Sequence, residues 1–194
     1  GKVQCRGKTS FIFQEHNLFP WKTVQENIEV SLLNQGKNKE EIIKITHHLL
    51  KHMNLQGFEK YYPHQMSGGM KQRVTLLRCL VNNPDILFMD EPFNALDYFT
   101  RIKMQNLLFK LQKERRFSVV FVTHDIDEAI TLSDRIIVLS KRPATIVDII
   151  HNTIRRSKGY KASLSQEYAR IKERIFSLIN HEELDDNEGK TDVC

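Results

Sequence analysis

Cysteine is scarce in this 194-residue chain, with only Cys5, Cys79 and Cys194. An odd number at wide spacing suits a reducing compartment better than a disulfide framework. No apolar run approaches the ~18 residues that a helix needs to cross a bilayer, and the first residues do not read as a secretory signal. No internal repeat is present. Charge is not concentrated either: Lys and Arg number 29 against 24 Asp and Glu, a net charge of +5. That excess permits an anionic partner without demanding one, and nucleic-acid binding would need a denser basic patch. A complete phosphate-binding loop, G-x-x-x-x-G-K-[ST], is also missing. Residues 7–9 spell its last letters, Gly-Lys-Thr, but Lys2 stands where its first glycine belongs. The run that follows, "TSFIFQ", is β-type where a helix should open. The local expectation is a strand–turn–strand with Gly7-Lys8 at the turn. With no initiator Met and a β-like beginning, an N-terminal piece is expected ahead of Gly1.

What is present is ordinary globular material, 40% apolar and 27% charged, long enough for one domain with a core. Strand-like runs fall at 10–14, 85–90, 118–123, 134–140 and 144–151. Most are short, β-branched or aromatic, and apolar on both faces, which is the pattern of a buried, largely parallel sheet. Helical stretches lie at 23–33, 38–53, 67–82, 98–115, 125–132 and 164–180. Strand and helix alternate from residue 85 onward, an α/β pattern. The block before it has helices without strands and is expected to form a helical subdomain, about 20–80. A C-terminal helix is expected at 161–180, then an acidic, disordered tail at 181–194.

Three stretches carry chemistry. "DILFMDEP" (85–92) is an apolar strand ending in Asp90 and Glu91. Open α/β sheets place ligand chemistry at such strand tips, where one carboxylate can hold a hydrated Mg²⁺ beside phosphates and the next can orient or deprotonate a water. The plainer alternative is a strand leaving to solvent through acids. "QMSGGMKQR" (65–73) combines an N-capping Ser67 with two glycines at a helix start, an anion-binding arrangement. Its plainer alternative is a glycine-rich turn. "VVFVTHD" (119–125) ends a strand in His124, placed to hydrogen-bond a phosphate or an attacking water, although a lone strand-end histidine is more often structural.

These motifs, in this order, with "FIFQ" (11–14) ahead of them and "NALD" (94–97) after the acids, resemble the nucleotide-binding subunits of ATP-binding-cassette (ABC) transporters. Gln14 matches the Q-loop glutamine, and Ser67, Gly68 and Gly69 match the signature motif. Asp90 and Glu91 match the Walker B acids, Asp97 belongs to the D-loop, and His124 matches the switch histidine. "NLFPWKTVQENI", "DEPFNALD" and "LSKRPATI" are similar to the importer branch, specifically its nitrate, sulfonate and taurine subfamily.

The resemblance implies an α/β fold, a partial P-loop NTPase core with a mostly parallel sheet plus a helical subdomain, spanning 1–160 and lacking its Walker A segment. It implies ATP and Mg²⁺ as cofactors. Head-to-tail pairing with a second ATP-binding subunit would place Ser67, Gly68, Gly69 and Met70 on the partner's γ-phosphate. Asp90 and Gln14 would hold Mg²⁺, and Glu91 would act as general base. His124 would contact the γ-phosphate, and Asp97 would link the two sites. Transmembrane permease subunits would dock on "NLFPW" at the cytoplasmic face of the membrane, with a substrate-binding protein engaged indirectly. Two alternatives stay open: a non-catalytic module that pairs with an intact cassette, and a soluble ABC ATPase working outside transport. Where the family's signature helix usually has alanines, Leu77 and Cys79 are bulkier, so different packing is expected beneath it.

Weaker signals remain. His48 and His52 stand four apart on one helix face, at metal-pair spacing but without an evident third ligand. "RRSKGYK" (155–161) is a basic run, expected as a solvated loop. Leu164, Tyr168, Ile171, Ile175 and Leu178 follow helical spacing and are expected to pack on the domain.

Overall fold

A computed structural model of the chain describes residue 2, residues 4–154 and residues 165–188, with side chains described up to Asn180 apart from that of Asn34. Its contacts divide into two compact units, one reaching Val122 and one from Thr123 onward.

The first unit is built on three parallel strands, β1 (Thr9–Ile12), β2 (Ile86–Asp90) and β3 (Ser118–Val122), with β2 in the middle. The register sets Ile12 opposite Met89 and Asp90 opposite Val122, so the three carboxyl ends leave at one edge. Parallel neighbours need long crossovers. Between β1 and β2 the chain runs through α1 (Val24–Glu29), α2 (Lys39–His52) and α3 (Gly68–Leu80) with no intervening strand, and α4 (Tyr98–Arg115) joins β2 to β3.

Capping explains where these helices begin. Thr23 with Glu26, and Asn38 with Glu41, form reciprocal capping boxes at α1 and α2. α1 stops at Glu29, short of the expected 33. The chain then makes a single tight turn at Leu33–Gln35, closed by Gly36 in the left-handed region (φ 67°).

Alternation sorts the sheet residues. Ser10, Ile12, Leu87 and Met89 turn inward, on the side that buries Leu76, Leu77 and Leu80 of α3. The bulky Leu77 and Cys79 are accommodated there: the Cys79 thiol donates to the Phe11 carbonyl (3.3 Å), and Ser10 Oγ donates to the Cys79 carbonyl (3.2 Å). Burial pushes the Cys79 thiol up to about 11, against the opposite pull of Arg78. The other sheet face is open and apolar. Phe11, Phe13, Val120 and Val122 are all at least half exposed, and Phe11 stacks on Phe88 with ring centroids 4.6 Å apart.

The strand expected before Gly7 does not form: residues 4–6 are irregular. Gly7 adopts φ +109°, which tucks the chain against Asp85. The Lys8 N–H donates to Asp85 Oδ2 (2.7 Å), and a Cβ at Gly7 would lie 2.6 Å from that same oxygen.

The second unit contains α5 (Ile126–Leu132), β4 (Arg135–Leu139), β5 (Ile146–His151) and α6 (Gln166–Glu188). β4 and β5 pair antiparallel, Ile137 opposite Ile149, which corrects the expectation that these runs extend a parallel sheet. The link from Ser140 to Thr145 is far too short for a crossover, so only an antiparallel return is open to it.

The core here is Ile130, Ile136, Val138 and Ile150, closed by Tyr168, Ile171 and Ile175 of α6 with Leu178 at its margin. The helical spacing in the sequence therefore marks the packed face. Tyr168 Oη and Lys172 Nζ both donate to Asp127 Oδ1 (2.7 Å each), and Arg174 pairs with Asp148 (2.7 Å). Burial pulls the Asp127 carboxyl upward, but the hydrogen bonds from Lys172 and Tyr168 outweigh it and hold it below its ordinary value.

α6 continues to Glu188, a correction to the disordered tail expected from 181. A helix already docked by its first turns extends at little cost through "HEEL", which consists largely of good helix formers. Residues 155–161 with their basic run, Leu164, and residues 189–194 lie outside the described residues.

Candidate functional site

The tips of β1 and β2 sit side by side because the strands are parallel and in register. Gln14 lies two residues past β1, and Asp90 ends β2. At the tip of β2 the chain turns sharply. Glu91 takes φ +42°, uncommon for a residue with a side chain, while its N–H still donates to the Val122 carbonyl (2.9 Å). That turn brings its carboxylate round to two amides. Gln14 Nε2 donates to Glu91 Oε2 at 3.4 Å, and Asn94 Nδ2 donates to the same oxygen at 3.0 Å. Residues 14 and 91 are thus joined across 77 positions.

The stretch after Gln14 is pinned to α3. Thr75 Oγ1 donates to the His16 carbonyl (3.1 Å) and Arg78 to the Asn17 carbonyl (2.7 Å). The "NLFPW" loop is then shaped by the fully buried Asn27. Its side chain accepts from the Phe19 N–H (2.8 Å) and donates to the carbonyls of Phe19, Lys22 and Thr23. Trp21 is left 70% exposed on this loop.

Gln14, His16, Gln72, Glu91, Pro92, Asn94, Ala95 and Leu96 line a cavity of about 130 Å³. His16 Nδ1 and Gln72 Nε2 are buried without a hydrogen-bond partner, so the lining offers both an acceptor and a donor. Burial holds the His16 imidazole below its ordinary value, with the Gln72 hydrogen bond acting the other way and Lys71 adding to the depression.

Ser67 caps α3, its hydroxyl accepting from the Met70 N–H (3.3 Å). Gly68 lies open to solvent at the helix start, where the glycines leave backbone N–H groups uncovered. Gly69 fits closely against α4: a Cβ there would come 2.5 Å from Thr100 Cγ2. Asp97 caps α4 through the Thr100 N–H (3.0 Å), and hydrogen bonds from the Thr100 side chain and backbone hold its carboxyl below the ordinary range.

The first unit therefore brings Gln14 and Glu91 into contact next to Asp90, and sets the helix start Ser67–Gly69 against the start of α4. His124 belongs to the second unit, exposed just ahead of Asp125, which caps α5.

Asn94, His16 and Gln72 were not singled out from the sequence. Asn94 stands three residues after Glu91, a spacing that a turn closes. His16 and Gln72 are far apart in the chain and carry no such signal.

The donor set suits magnesium. Mg²⁺ takes one or two carboxylates and fills the rest of its octahedron with phosphate oxygens and water, and Asp90 is exposed at the strand tip beside Glu91. Among the described residues no cluster of three or more His, Cys, Asp or Glu is placed to hold a metal by itself. No described helix is long and apolar enough to cross a membrane.

Comparison with known proteins gives one direction. The ABC transporter family model matches residues 2–94. The aliphatic sulfonates import ATP-binding protein SsuB of Bacillus anthracis is 41% identical over 174 residues, covering 90% of this chain and 67% of that protein. An uncharacterised ABC transporter ATP-binding protein of Methanocaldococcus jannaschii is 42% identical over 192 residues, covering 95% of this chain and 71% of the relative. Among solved structures, a dimeric ATP-binding cassette in a post-hydrolysis state with ADP and Pi is 37% identical with a TM-score of 0.63, covering 74% of this chain and 62% of that one. The chain thus spans about two thirds of the length of the relatives it matches.

Proposed function

Since this chain belongs to the ABC transporter ATP-binding family, we propose that it is the ATP-hydrolysing subunit of an importer for a small oxyanionic solute, a sulfonate or a related nitrate- or taurine-type cargo. The cargo class rests on the sulfonate-import relatives. The observation that carries the catalytic reading is the amide clamp on Glu91, formed by Gln14 and Asn94 at the carboxyl edge of the sheet.

In this reading Asp90, with Gln14, holds Mg²⁺, which neutralises charge on the phosphates when bound. Glu91 keeps one carboxylate oxygen under the two amides and uses the other to take a proton from the attacking water. Ser67, Gly68 and Gly69 present a hydroxyl and backbone N–H groups to the γ-phosphate of a second subunit, with Met70 beside them. Asp97 connects the paired sites, and His124 contacts the γ-phosphate. The exposed Trp21 and the loop ordered by Asn27 receive a permease helix, which places the subunit on the cytoplasmic face of the membrane.

The lysine that cradles β- and γ-phosphates in G-x-x-x-x-G-K-[ST] is not among these 194 residues. The chain by itself is therefore expected to show negligible ATPase activity. Joined behind the phosphate-loop segment of a relative, it should hydrolyse Mg-ATP, and Glu91→Gln should cut turnover by ~10²–10⁴-fold while trapping an ATP-bound dimer on size exclusion. Turnover by the 194 residues alone, or parental rates in the Glu91→Gln fusion, would overturn this assignment.

A further inference from the structure

The helical subdomain carries a pair of side chains that phosphoryl transfer does not use. α2 presents His48 and His52 four residues apart, hence one turn apart on the same face. Both are exposed. Their rings contact each other with centroids 4.4 Å apart and planes inclined at 61°. The helix beneath them is held at its start by the Asn38–Glu41 capping box and packs through Ile42, Thr46, Leu49 and Leu50, so the two Cα positions are fixed by buried neighbours.

We propose that His48 and His52 form a surface chelate for a borderline divalent transition cation. Two imidazole nitrogens projecting from successive turns can meet one ion at the ~2.0–2.1 Å bond lengths such metals take, and the two rings already lie together with centroids 4.4 Å apart. Imidazole selects copper, nickel and zinc over magnesium and calcium, which prefer oxygen. The site is therefore chemically separate from the carboxylate pair at the sheet edge. Water completes the coordination, so binding is reversible and weaker than at a four-ligand structural site. His47 is adjacent in sequence but projects about 100° away on the helix. Lys44 and Lys51 lie on the same helix; their charge lowers affinity without removing the chelate.

The test uses the 194-residue chain carrying Cys5→Ser and Cys194→Ser, which removes two competing thiols. Cu²⁺, Ni²⁺ and Zn²⁺ are titrated by calorimetry, and ring signals are followed by NMR. Saturable one-to-one binding is expected, tightest for Cu²⁺. Sub-stoichiometric Cu²⁺ should broaden the His48 and His52 ring signals before those of His47 or His64. His48→Ala and His52→Ala should each weaken Cu²⁺ binding by about tenfold or more, while His47→Ala leaves it unchanged. Alanine is the better helix former, so loss of binding in these variants does not arise from unfolding, and unchanged circular dichroism checks this. Binding that survives both substitutions, or that tracks His47, overturns the proposal. Neither outcome depends on nucleotide hydrolysis, so the chelate can fail while the ATPase reading stands, and the reverse.

Discussion

Two helices begin side by side in the first unit, and they are capped by different chemistry. α3 starts from Ser67, whose neutral hydroxyl accepts one backbone N–H, and α4 starts from Asp97, whose carboxylate does the same. Their first turns touch at Gly69 and Thr100. Both helix starts carry the positive end of a backbone dipole. At α4 that end is already neutralised by a carboxylate held in its charged form by Thr100. At α3 the hydroxyl satisfies geometry but supplies no charge, and Gly68 and Gly69 add no side chain in front of the N–H groups. The choice of cap thus sets the charge at each of two adjacent helix starts, and the proposed function assigns the anion to the one left without a carboxylate.

The largest effect should come from making the two caps alike. Ser67→Asp ought to keep α3 capped, and even strengthen it by up to ~1 kcal/mol, while placing a like charge against the bound phosphate. Nucleotide-dependent dimerisation of an active cassette should weaken by about 100-fold, read by sedimentation at fixed ATP, with thermal stability unchanged or higher. Unaltered dimerisation would mean that α3 does not face the phosphate.

Next in size is the contact between the caps. Gly69→Ala should cost about 1–3 kcal/mol through overpacking against Thr100. Thr100→Ser, which deletes the methyl that the new Cβ meets, should recover most of that in a denaturation double-mutant cycle. A purely additive cycle would place the strain elsewhere.

Asp97→Ala removes the acid cap, and a smaller fall in melting temperature than that of Gly69→Ala is expected, since only exposed hydrogen bonds are lost. Asp97→Ser should restore it and leave α4 with the neutral kind of start that α3 has.

The smallest effect lies in the second unit, where an acid in the first turn of α5 anchors another helix. Asp127 is held below its ordinary value when folded. Its contribution is therefore complete above the unfolded value near pH ~3.9 and is lost as pH falls through the folded value. Docking of α6 should loosen on acidification below about pH 4, and Asp127→Asn should flatten that part of the stability profile. An unchanged acid limb would assign the docking to the apolar face of α6 alone.

Local chemistry made much of this readable in advance. The five strand runs appear within a residue or two of their expected places because β-branched and aromatic runs between turn residues have few other uses. The apolar spacing of Tyr168, Ile171 and Ile175 marks the buried side of α6 because a helix repeats on itself. The strand tip made Asp90 and Glu91 legible, whereas Gln14 was named only through the family resemblance.

Other features depend on partners distant in sequence. Nothing local says that His16 and Gln72 line the cavity beside Glu91, or that Asn27 fills the centre of the loop at 19–23. The antiparallel return of β5 was readable from its short link, but strand composition alone points to a parallel sheet. The extension of α6 was obscured because an acidic composition argues against a core and says nothing about a helix that has already been nucleated.

Glu91 carries one more consequence, through its left-handed backbone. A residue with a Cβ pays on the order of 1 kcal/mol to sit there, whereas asparagine and glycine occupy that region readily. Replacements at Glu91 are therefore expected to fold as well as the parent or better, with Glu91→Asn melting above Glu91→Gln. Under the proposed role of Glu91, drift toward robustness and selection for turnover pull in opposite directions at this position. A library sorted for folding alone should shed the glutamate first, and only a demand for work done would keep it.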